Sequence, residues 1–349
     1  MPRSKDPRAI ARQPTPYADL NAVLAHLVEG AQRLLGDNFV GAYLQGSFAV
    51  GDFTEFSDCD FIVVTARDIT PQELPAFQAL HAGIHELPYP YWPSALEGSY
   101  VAAPILRRWS GPPRDPPGET RDAAWADPGT SGSPARAYPF WYLDHGSKTL
   151  VRSEHDNTQV VRWCLREKGV TLAGPPPKSL IDPVPAAALR AEVRRTMDQV
   201  LALDLRPMHL VAGQACWVGL FCRMLHTLAT GAVWSKKASM AWACAHLDPQ
   251  WRDLIGRAAA VRKGDAAQSG QPADPADVAA TRAFARYAVD FADRTAQARE
   301  ILERRLAEKR GAPNGFRPGR PGGPPTGGRP GGSQFTIKPT PPGGRRGRG

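Results

Sequence analysis

The chain has few cysteines and no long apolar run, and each shortage excludes a class of protein. Its 349 residues include five scattered cysteines without a CxxC pair, a pattern that fits neither a disulfide framework nor a zinc site. No apolar stretch approaches the roughly 18 residues that a membrane helix needs, and the opening MPRSKDPRAIARQ has no apolar signal core. We therefore expect a protein of the reducing cytoplasm with no membrane partner.

Acidic residues are missing from one end of the chain. Residues 310–349 contain eight basic residues and no acidic one, whereas residues 1–309 hold 35 basic and 34 acidic residues, so most of the net charge of +9 belongs to the tail. Its 13 glycines and 9 prolines leave too little apolar surface to offset the entropy of ordering. We predict a disordered basic tail, and two interpretations stay open: weak contact with RNA or an anionic surface, or a solubilising extension.

Apolar periodicity divides the rest of the chain into two parts. In the first part, residues 17–35 and 71–86 have helical spacing, and three short runs, at 40–44, 61–64 and 96–101, have the composition of strands. From about residue 155 onward the patterns are helical, over 157–168, 186–203, 209–230, 235–246, 250–262 and 275–307. A Pro- and Gly-rich stretch at 111–134 is predicted to be a loop.

These patterns predict an α+β fold in three parts. Residues 1–155 form a domain with a small mixed sheet and flanking helices, including the loop at 111–134. Residues 156–307 form an all-α helical bundle. The disordered tail covers 308–349.

The chemistry lies between the first two predicted strands. Gly46 and Ser47 follow the first strand, and Asp58 and Asp60 stand at the start of the second. Residues i and i+2 of a strand point to one face, so the two carboxylates converge while Cys59 points into the core. Such carboxylates repel each other unless a cation lies between them, and oxygen ligands suit Mg²⁺. Gly46 lets the backbone approach a polyphosphate closely, and Ser47 offers its oxygens a hydroxyl and an N–H.

The third predicted strand adds a carboxylate, Glu97. An acid inside an apolar strand is costly unless it is used, and neighbouring strands would bring it close to the aspartate pair. Two metal ions that bridge an attacking and a leaving oxygen usually need a third carboxylate. Metal binding and general-base catalysis on a hydroxyl both fit Glu97. Asp52 and Glu55, between the two motifs, are interpreted as ordinary loop acids.

A Gly-Ser pair followed by an Asp-x-Asp motif that leads into a buried strand is the signature of the polymerase-β-like nucleotidyltransferase superfamily. Over roughly residues 17–300, the chain resembles the streptomycin/spectinomycin adenylyltransferases of bacteria, in the aminoglycoside adenylyltransferase-like family. The segments that carry this resemblance further are Leu96-Glu97-Gly98-Ser99, Leu172-Ala173-Gly174-Pro175, 180–185, 223–231 and 235–243.

The resemblance implies roles for several residues. Residues 1–155 would be the nucleotidyltransferase catalytic domain, with Glu97 as the catalytic base, and Asp58, Asp60 and Glu97 would hold metal, two Mg²⁺ ions. Gly46, Ser47 and Lys236 would bind ATP, with Lys237 as the adjacent alternative to Lys236. AMP would pass from ATP to a hydroxyl of a small aminoglycoside-like acceptor, as in antibiotic resistance, and pyrophosphate would leave. We expect a monomer.

The sequence departs from the drug-modifying members at the start of the long C-terminal helix, and the loop at 111–134 and the tail are additions. Those proteins carry acidic residues around the start of the long C-terminal helix, and the matching stretch 212–217 has none. A protein, an RNA or a non-drug metabolite therefore stays open as the acceptor, and so does a nucleotide-sensing module without turnover. The polar and aromatic segments 141–145 and 152–157 are interpreted either as the rim of a pocket or as loops held by local hydrogen bonds.

Overall fold

A computed structural model describes residue 10 and residues 13–55, 57–109, 140–202, 206–262 and 270–311, without side chains at 206–207 and beyond 297. The predicted loop at 111–134 and the tail beyond residue 311, with its predicted contact to RNA or an anionic surface, lie outside these residues. The chain divides into two compact units, Met1–Ala298 and Arg299–Gly349, and the contacts reported below lie within the first.

Six strands form one mixed sheet in the order β5-β4-β3-β2-β1-β6. The strands are β1 (Phe39–Leu44), β2 (Cys59–Thr65), β3 (Leu96–Ala102), β4 (Phe140–Leu143), β5 (Leu150–Ser153) and β6 (Val170–Ala173). The central strands β2 and β3 are parallel, and every other neighbouring pair is antiparallel. The apolar run 61–64 of β2 is buried at every position, as expected for a strand covered on both faces.

Six helices accompany the strands along the chain. They are α1 (Ala18–Leu35), α2 (Gly46–Val50), α3 (Leu74–His85), α4 (Ala103–Arg107), α5 (Gln159–Lys168) and α6 (Pro177–Leu180). On α1, Leu20, Val23, Leu24 and Leu27 recur at helical spacing and are at most 1 % exposed, packed into one cluster with the inner face of the sheet. This stripe accounts for the helix predicted over 17–35.

Five further helices form the second part of the fold. They are α7 (Ala186–Ala202), α8 (Val211–Thr230), α9 (Lys236–His246), α10 (Arg252–Val261) and α11 (Pro275–Gly311). Their apolar faces share a separate core around Phe221 of α8 and Phe284 of α11, both fully buried. None of the described helices combines the length and the apolar character needed to cross a membrane.

The mixed α+β class predicted from the sequence is confirmed, with one correction. The chain beyond residue 155 is not entirely helical, because β6 (Val170–Ala173) pairs with β1 and extends the sheet of the first part. This strand has only four residues and lies between Gly169 and Gly174, so it is too short to show the alternation of apolar and polar residues from which a strand is predicted. The short helix α2 was likewise not predicted, because it occupies an interval that reads as turn-rich.

Candidate active site

Gly46 and Ser47 begin α2, directly after β1, and lie against Asp60 of β2. The adjacent Gln45 donates its backbone N–H to the carbonyl of Asp60 at 2.9 Å, and the backbone N–H of Ser47 donates to the Asp60 carboxylate. Gly46 has φ +55°, and a β-carbon added there would overlap the Asp60 carboxyl group. The backbone at Gly46 therefore lies close to Asp60, and the approach of this backbone to a polyphosphate stays a prediction.

Asp60 and Glu97 are neighbours across the parallel pair of β2 and β3. Burial and, after it, the negative charges of Glu97, Asp156 and Asp58 together raise the pKa of Asp60 to about 8, and the Ser47 N–H opposes this shift. The pKa of Glu97 is also raised, mainly by burial. Carboxylates gathered in this way favour a cation or a proton between them.

Asp58 precedes β2 and lies at the exposed side of the group. Its Oδ1 is 2.9 Å from Nδ1 of His145, in the turn between β4 and β5. Asp58, Glu97 and His145 each offer one ligand atom within 4.8 Å of the others. Cys59, between the two aspartates, is fully buried on the opposite face, as predicted from strand alternation.

Two aromatic residues hold the carboxylate of Glu97. The hydroxyl of Tyr142 on β4 donates to Oε1 at 2.5 Å, and Nε2 of His155 lies 3.3 Å from the same oxygen. The rings of Tyr142 and His155 are stacked, with centroids 4.6 Å apart. Both groups favour the ionised form of Glu97 and oppose the effect of burial on its pKa.

A fourth carboxylate, Asp156, lies beneath the site and is 3 % exposed. Its Oδ1 accepts from Nε2 of Gln45 at 3.0 Å, and its Oδ2 accepts from the hydroxyl of Ser99 at 2.6 Å. Burial raises the pKa of Asp156. Because Gln45 follows β1 and Ser99 lies on β3, Asp156 connects the end of β1 with the strand that carries Glu97.

Basic side chains surround Cys216 on α8. Nζ of Lys236, at the start of α9, donates to Sγ of Cys216 at 3.3 Å. The positive charge of Lys236 lowers the pKa of the Cys216 thiol, and those of Arg223 and Arg262 act in the same direction. Arg223 and Asp60 both act on the pKa of Cys164, on α5, with opposite signs. The charges of Lys236, Arg223 and Arg262 thus act together at Cys216, in the helical part of the chain.

The structure brings five of the six predicted site residues, Gly46, Ser47, Asp58, Asp60 and Glu97, into one group at the starts of β2 and β3. Lys236 lies outside this group, on α9. His145 and Asp156, whose segments had two interpretations, line the group. The polar and aromatic composition of these segments is visible in the sequence. The residues that His145 and Asp156 contact are more than 50 positions away in the chain, so no local pattern predicts them.

Comparisons with known proteins relate both parts of the chain to one kind of enzyme. Residues 179–290 match the family model described as aminoglycoside adenylyltransferase, C-terminal domain. The chain is also similar to spectinomycin adenyltransferase AAD(9) from Enterococcus faecialis, solved with ATP and spectinomycin. The two are 13 % identical with a TM-score of 0.54, over 77 % of this chain and 98 % of that one. No curated protein matches the sequence.

The structural match establishes the fold, and the family model establishes a related sequence in the helical part. The prediction of a nucleotidyltransferase enzyme is confirmed at this level. Residues 179–290 are thus similar in sequence to the C-terminal domain of aminoglycoside adenylyltransferases, and the chain shares its fold with AAD(9), in agreement with the resemblance that the sequence motifs indicate.

Proposed function

We propose that the protein transfers AMP from ATP to a hydroxyl group of an aminoglycoside-like small molecule, with Mg²⁺ and with release of pyrophosphate. The observation that carries this proposal is the alignment of Asp60 with Glu97 across two parallel strands, with the Gly46–Ser47 backbone packed on Asp60. This arrangement supports the proposal, because a loop able to bind phosphate, paired carboxylates and a group able to accept a proton would then belong to one site. Few other chemistries need these three parts together.

The nucleotide would lie between the Gly46–Ser47 loop and the start of α9. Ser47 Oγ is buried and has no hydrogen-bond partner among the described residues, as expected for a group that binds a ligand. Lys236 is the first residue of α9, where its charge and the helix N-terminus both favour an anion. The positive charges of Arg223 and Arg262, which also act on Cys216, add to this preference for a triphosphate.

The acidic group fits a hard divalent cation. Asp58, Asp60 and Glu97 supply carboxylate oxygens. Burial and the neighbouring negative charges raise the pKa of Asp60 to about 8, and a cation would relieve the repulsion between these charges. These three residues would hold the two Mg²⁺ ions expected from the sequence. When bound, Mg²⁺ neutralises charge on the phosphate oxygens.

Glu97 would act as the general base. The acceptor oxygen attacks the α-phosphorus of ATP, the bond from that phosphorus to the pyrophosphate oxygen breaks, and the acceptor proton passes to the Glu97 carboxylate. Tyr142 and His155 both engage Oε1 and fix the orientation of the carboxyl group, so Oε2 is the oxygen assigned to accept the proton. Burial raises the proton affinity of Glu97, which makes it a stronger base than an exposed carboxylate.

Acidic residues near Glu97 support a cationic acceptor. Asp58 is half exposed, and Asp144, in the turn after β4, is exposed and accepts from the Tyr142 hydroxyl at 3.2 Å. This negative surface would attract a polyamine-like sugar, even though the stretch 212–217 lacks acidic residues.

The test is the formation of an AMP adduct. Purified protein, ATP and Mg²⁺ are incubated with streptomycin, spectinomycin or neutral sugars of similar size, and products are analysed by mass spectrometry. An AMP adduct on one of the two antibiotics, absent from the neutral sugars, supports the proposal. ATP binding without an adduct on either antibiotic contradicts the proposed acceptor class.

A further inference from the structure

We infer that Asp52 is a positioning residue, whose carboxylate docks the first turn of α9 onto the Gly46–Ser47 loop and thereby holds Lys236 at the nucleotide. The inference deepens the proposed function and rests on it, since the position of Lys236 matters only if the site takes ATP. Asp52 was interpreted from the sequence as an ordinary loop acid, together with Glu55. The two residues differ in the structure. Asp52 is largely buried in contacts with the start of α9 and the end of α10, whereas Glu55 is exposed.

The carboxylate of Asp52 contacts two elements of the helical part. Its Oδ2 accepts the backbone N–H of Lys237, in the first turn of α9, at 3.0 Å. The same oxygen lies 3.5 Å from Nη2 of Arg262, which follows α10. The Asp52 side chain is only 14 % exposed, so solvent weakens these contacts less than it would on an open surface.

Helix physics explains why a carboxylate suits this position. The first N–H groups of a helix have no partner within the helix, and its N-terminus carries partial positive charge. In α9 the hydroxyl of Ser235 accepts from the N–H of Ala238 at 3.0 Å, which is a local cap. The N–H of Lys237 is satisfied instead by Asp52, 185 residues earlier in the chain. The start of α9 therefore depends on the loop that follows α2.

The backbone of Asp52 continues the connection toward the carboxylates. Its N–H donates to the carbonyl of Ser47 at 3.0 Å, and the N–H of Ser47 donates to the carboxylate of Asp60. A continuous series of hydrogen bonds thus runs from Asp60 through Ser47 and Asp52 to the residue that follows Lys236. Both sides of the proposed triphosphate site are held in place before ATP arrives.

Without this docking, fewer molecules have the Gly46–Ser47 loop and the start of α9 in place at the same time. The apparent affinity for ATP falls in the same proportion, whereas chemistry in the assembled complex changes little. The expected signature is therefore a higher KM for ATP, with kcat and the KM for the acceptor nearly unchanged. A general loss of fold would lower the active fraction and hence kcat.

The experiment compares Asp52→Ala and Asp52→Asn with Glu55→Ala and Glu55→Asn, matched changes at an exposed acid of the same loop. Asp52→Ala should raise the KM for ATP about tenfold. Asp52→Asn should raise it less, because its amide oxygen still accepts from Lys237. The Glu55 variants should behave as wild type. If Asp52→Ala has the same KM for ATP as Glu55→Ala, the inference is wrong.

Arg262→Gln provides a second route if Asp52→Ala fails to fold. It should speed amide hydrogen exchange at Lys237, a readout that does not involve ATP, and its effect should not add to that of Asp52→Asn if both act through the same contact. Full additivity of the two changes would contradict docking through this pair.

Amide hydrogen exchange at Lys237 separates this inference from the proposed function. Exchange should be faster in Asp52→Asn than in Glu55→Asn, whether or not the protein turns over ATP. If wild type neither binds nor uses ATP, the proposed function fails, and faster exchange still supports docking of α9 by Asp52. Equal exchange in the two variants overturns the docking.

Discussion

Gly46 and the carboxyl group of Asp60 are in such close contact that position 46 has no room for a side chain. The backbone at Gly46 has φ +55°, a conformation that glycine adopts readily and other residues rarely do. A β-carbon there would overlap Oδ2 of Asp60. The loop proposed to bind phosphate is therefore packed directly against a carboxylate proposed to bind metal.

A Gly46→Ala substitution should disable the site more than it destabilises the protein. The added methyl group must push Asp60 away, and a displacement of about 1 Å at a reacting group can cost about 100-fold in rate. Gly36→Ala is the matched control, because Gly36 has φ +54° and no atom within 4 Å of an added β-carbon. Both variants carry the strain of a positive φ, Gly46→Ala should lose somewhat more Tm because of its added clash, and only Gly46→Ala should lose turnover. Equal turnover in the two variants would show that the contact with Asp60 has no role.

Mg²⁺ should stabilise the protein through the acidic group. A ligand at 100 times its Kd contributes about 2.7 kcal/mol to the free energy of unfolding, so Tm should rise with Mg²⁺ and return on chelation. Asp58→Asn and Asp60→Asn should reduce this rise, and Glu55→Gln should retain it. The rise should grow with pH toward the pKa of Asp60, about 8, because protons compete with the cation. An undiminished rise in Asp60→Asn would place the cation elsewhere.

Cys216 should report the position of Lys236. The neighbouring ammonium group lowers the thiol pKa, so Lys236→Met should raise that pKa and slow alkylation of Cys216 near neutral pH. Lys237→Met is the control, since the charges that mainly lower this pKa are those of Lys236, Arg223 and Arg262. The rates are measured on a Cys244→Ala background, which removes the other partly exposed thiol among the five cysteines. Equal slowing by both substitutions would contradict the Lys236–Cys216 pair.

His81 should make the fold sensitive to acid. Its ring is 1 % exposed, with Nε2 3.0 Å from the hydroxyl of Tyr100, and burial lowers its pKa from 6.5 to about 3. The unfolded chain binds the proton first, so stability is present above about pH 6.5 and is lost toward pH 3.

The expected slope from His81 is at most about 1.4 kcal/mol per pH unit in this interval. Urea unfolding from pH 7 to pH 4 should show a smaller loss of stability in His81→Gln than in wild type. His26→Gln, at an exposed position on α1, should lose stability as wild type does. If His81→Gln and wild type lose equal stability, His81 is not the source of the acid sensitivity.

The sequence predicts those elements of the fold whose apolar residues follow a regular pattern over many consecutive positions. The apolar stripe of α1 and the β-branched run of β2 each repeat over enough residues to identify an element. The strands β4, β5 and β6 have four residues each, too few for a period, and are fixed by pairing across the sheet.

The candidate site divides in the same way. Gly46, Ser47, Asp58 and Asp60 are close in sequence, and Glu97 could be inferred from strand pairing, so these residues were predicted together. Asp156, by contrast, enters the site through hydrogen bonds to Gln45 and Ser99, which no local pattern encodes. The contact of Asp52 with α9 is non-local to the same degree and was missed for the same reason.

The most direct test of the account is pyrophosphate release from ATP and Mg²⁺ by wild type and Glu97→Gln, with and without streptomycin or spectinomycin. Glutamine keeps the shape of the side chain and cannot accept the acceptor proton, so loss of a general base should lower acceptor-dependent release by about 100-fold to 10,000-fold. Binding of ATP should stay within a few-fold of wild type. Acceptor-dependent release that is undiminished in Glu97→Gln would contradict the assignment of Glu97 as the base and, with it, the proposed mechanism.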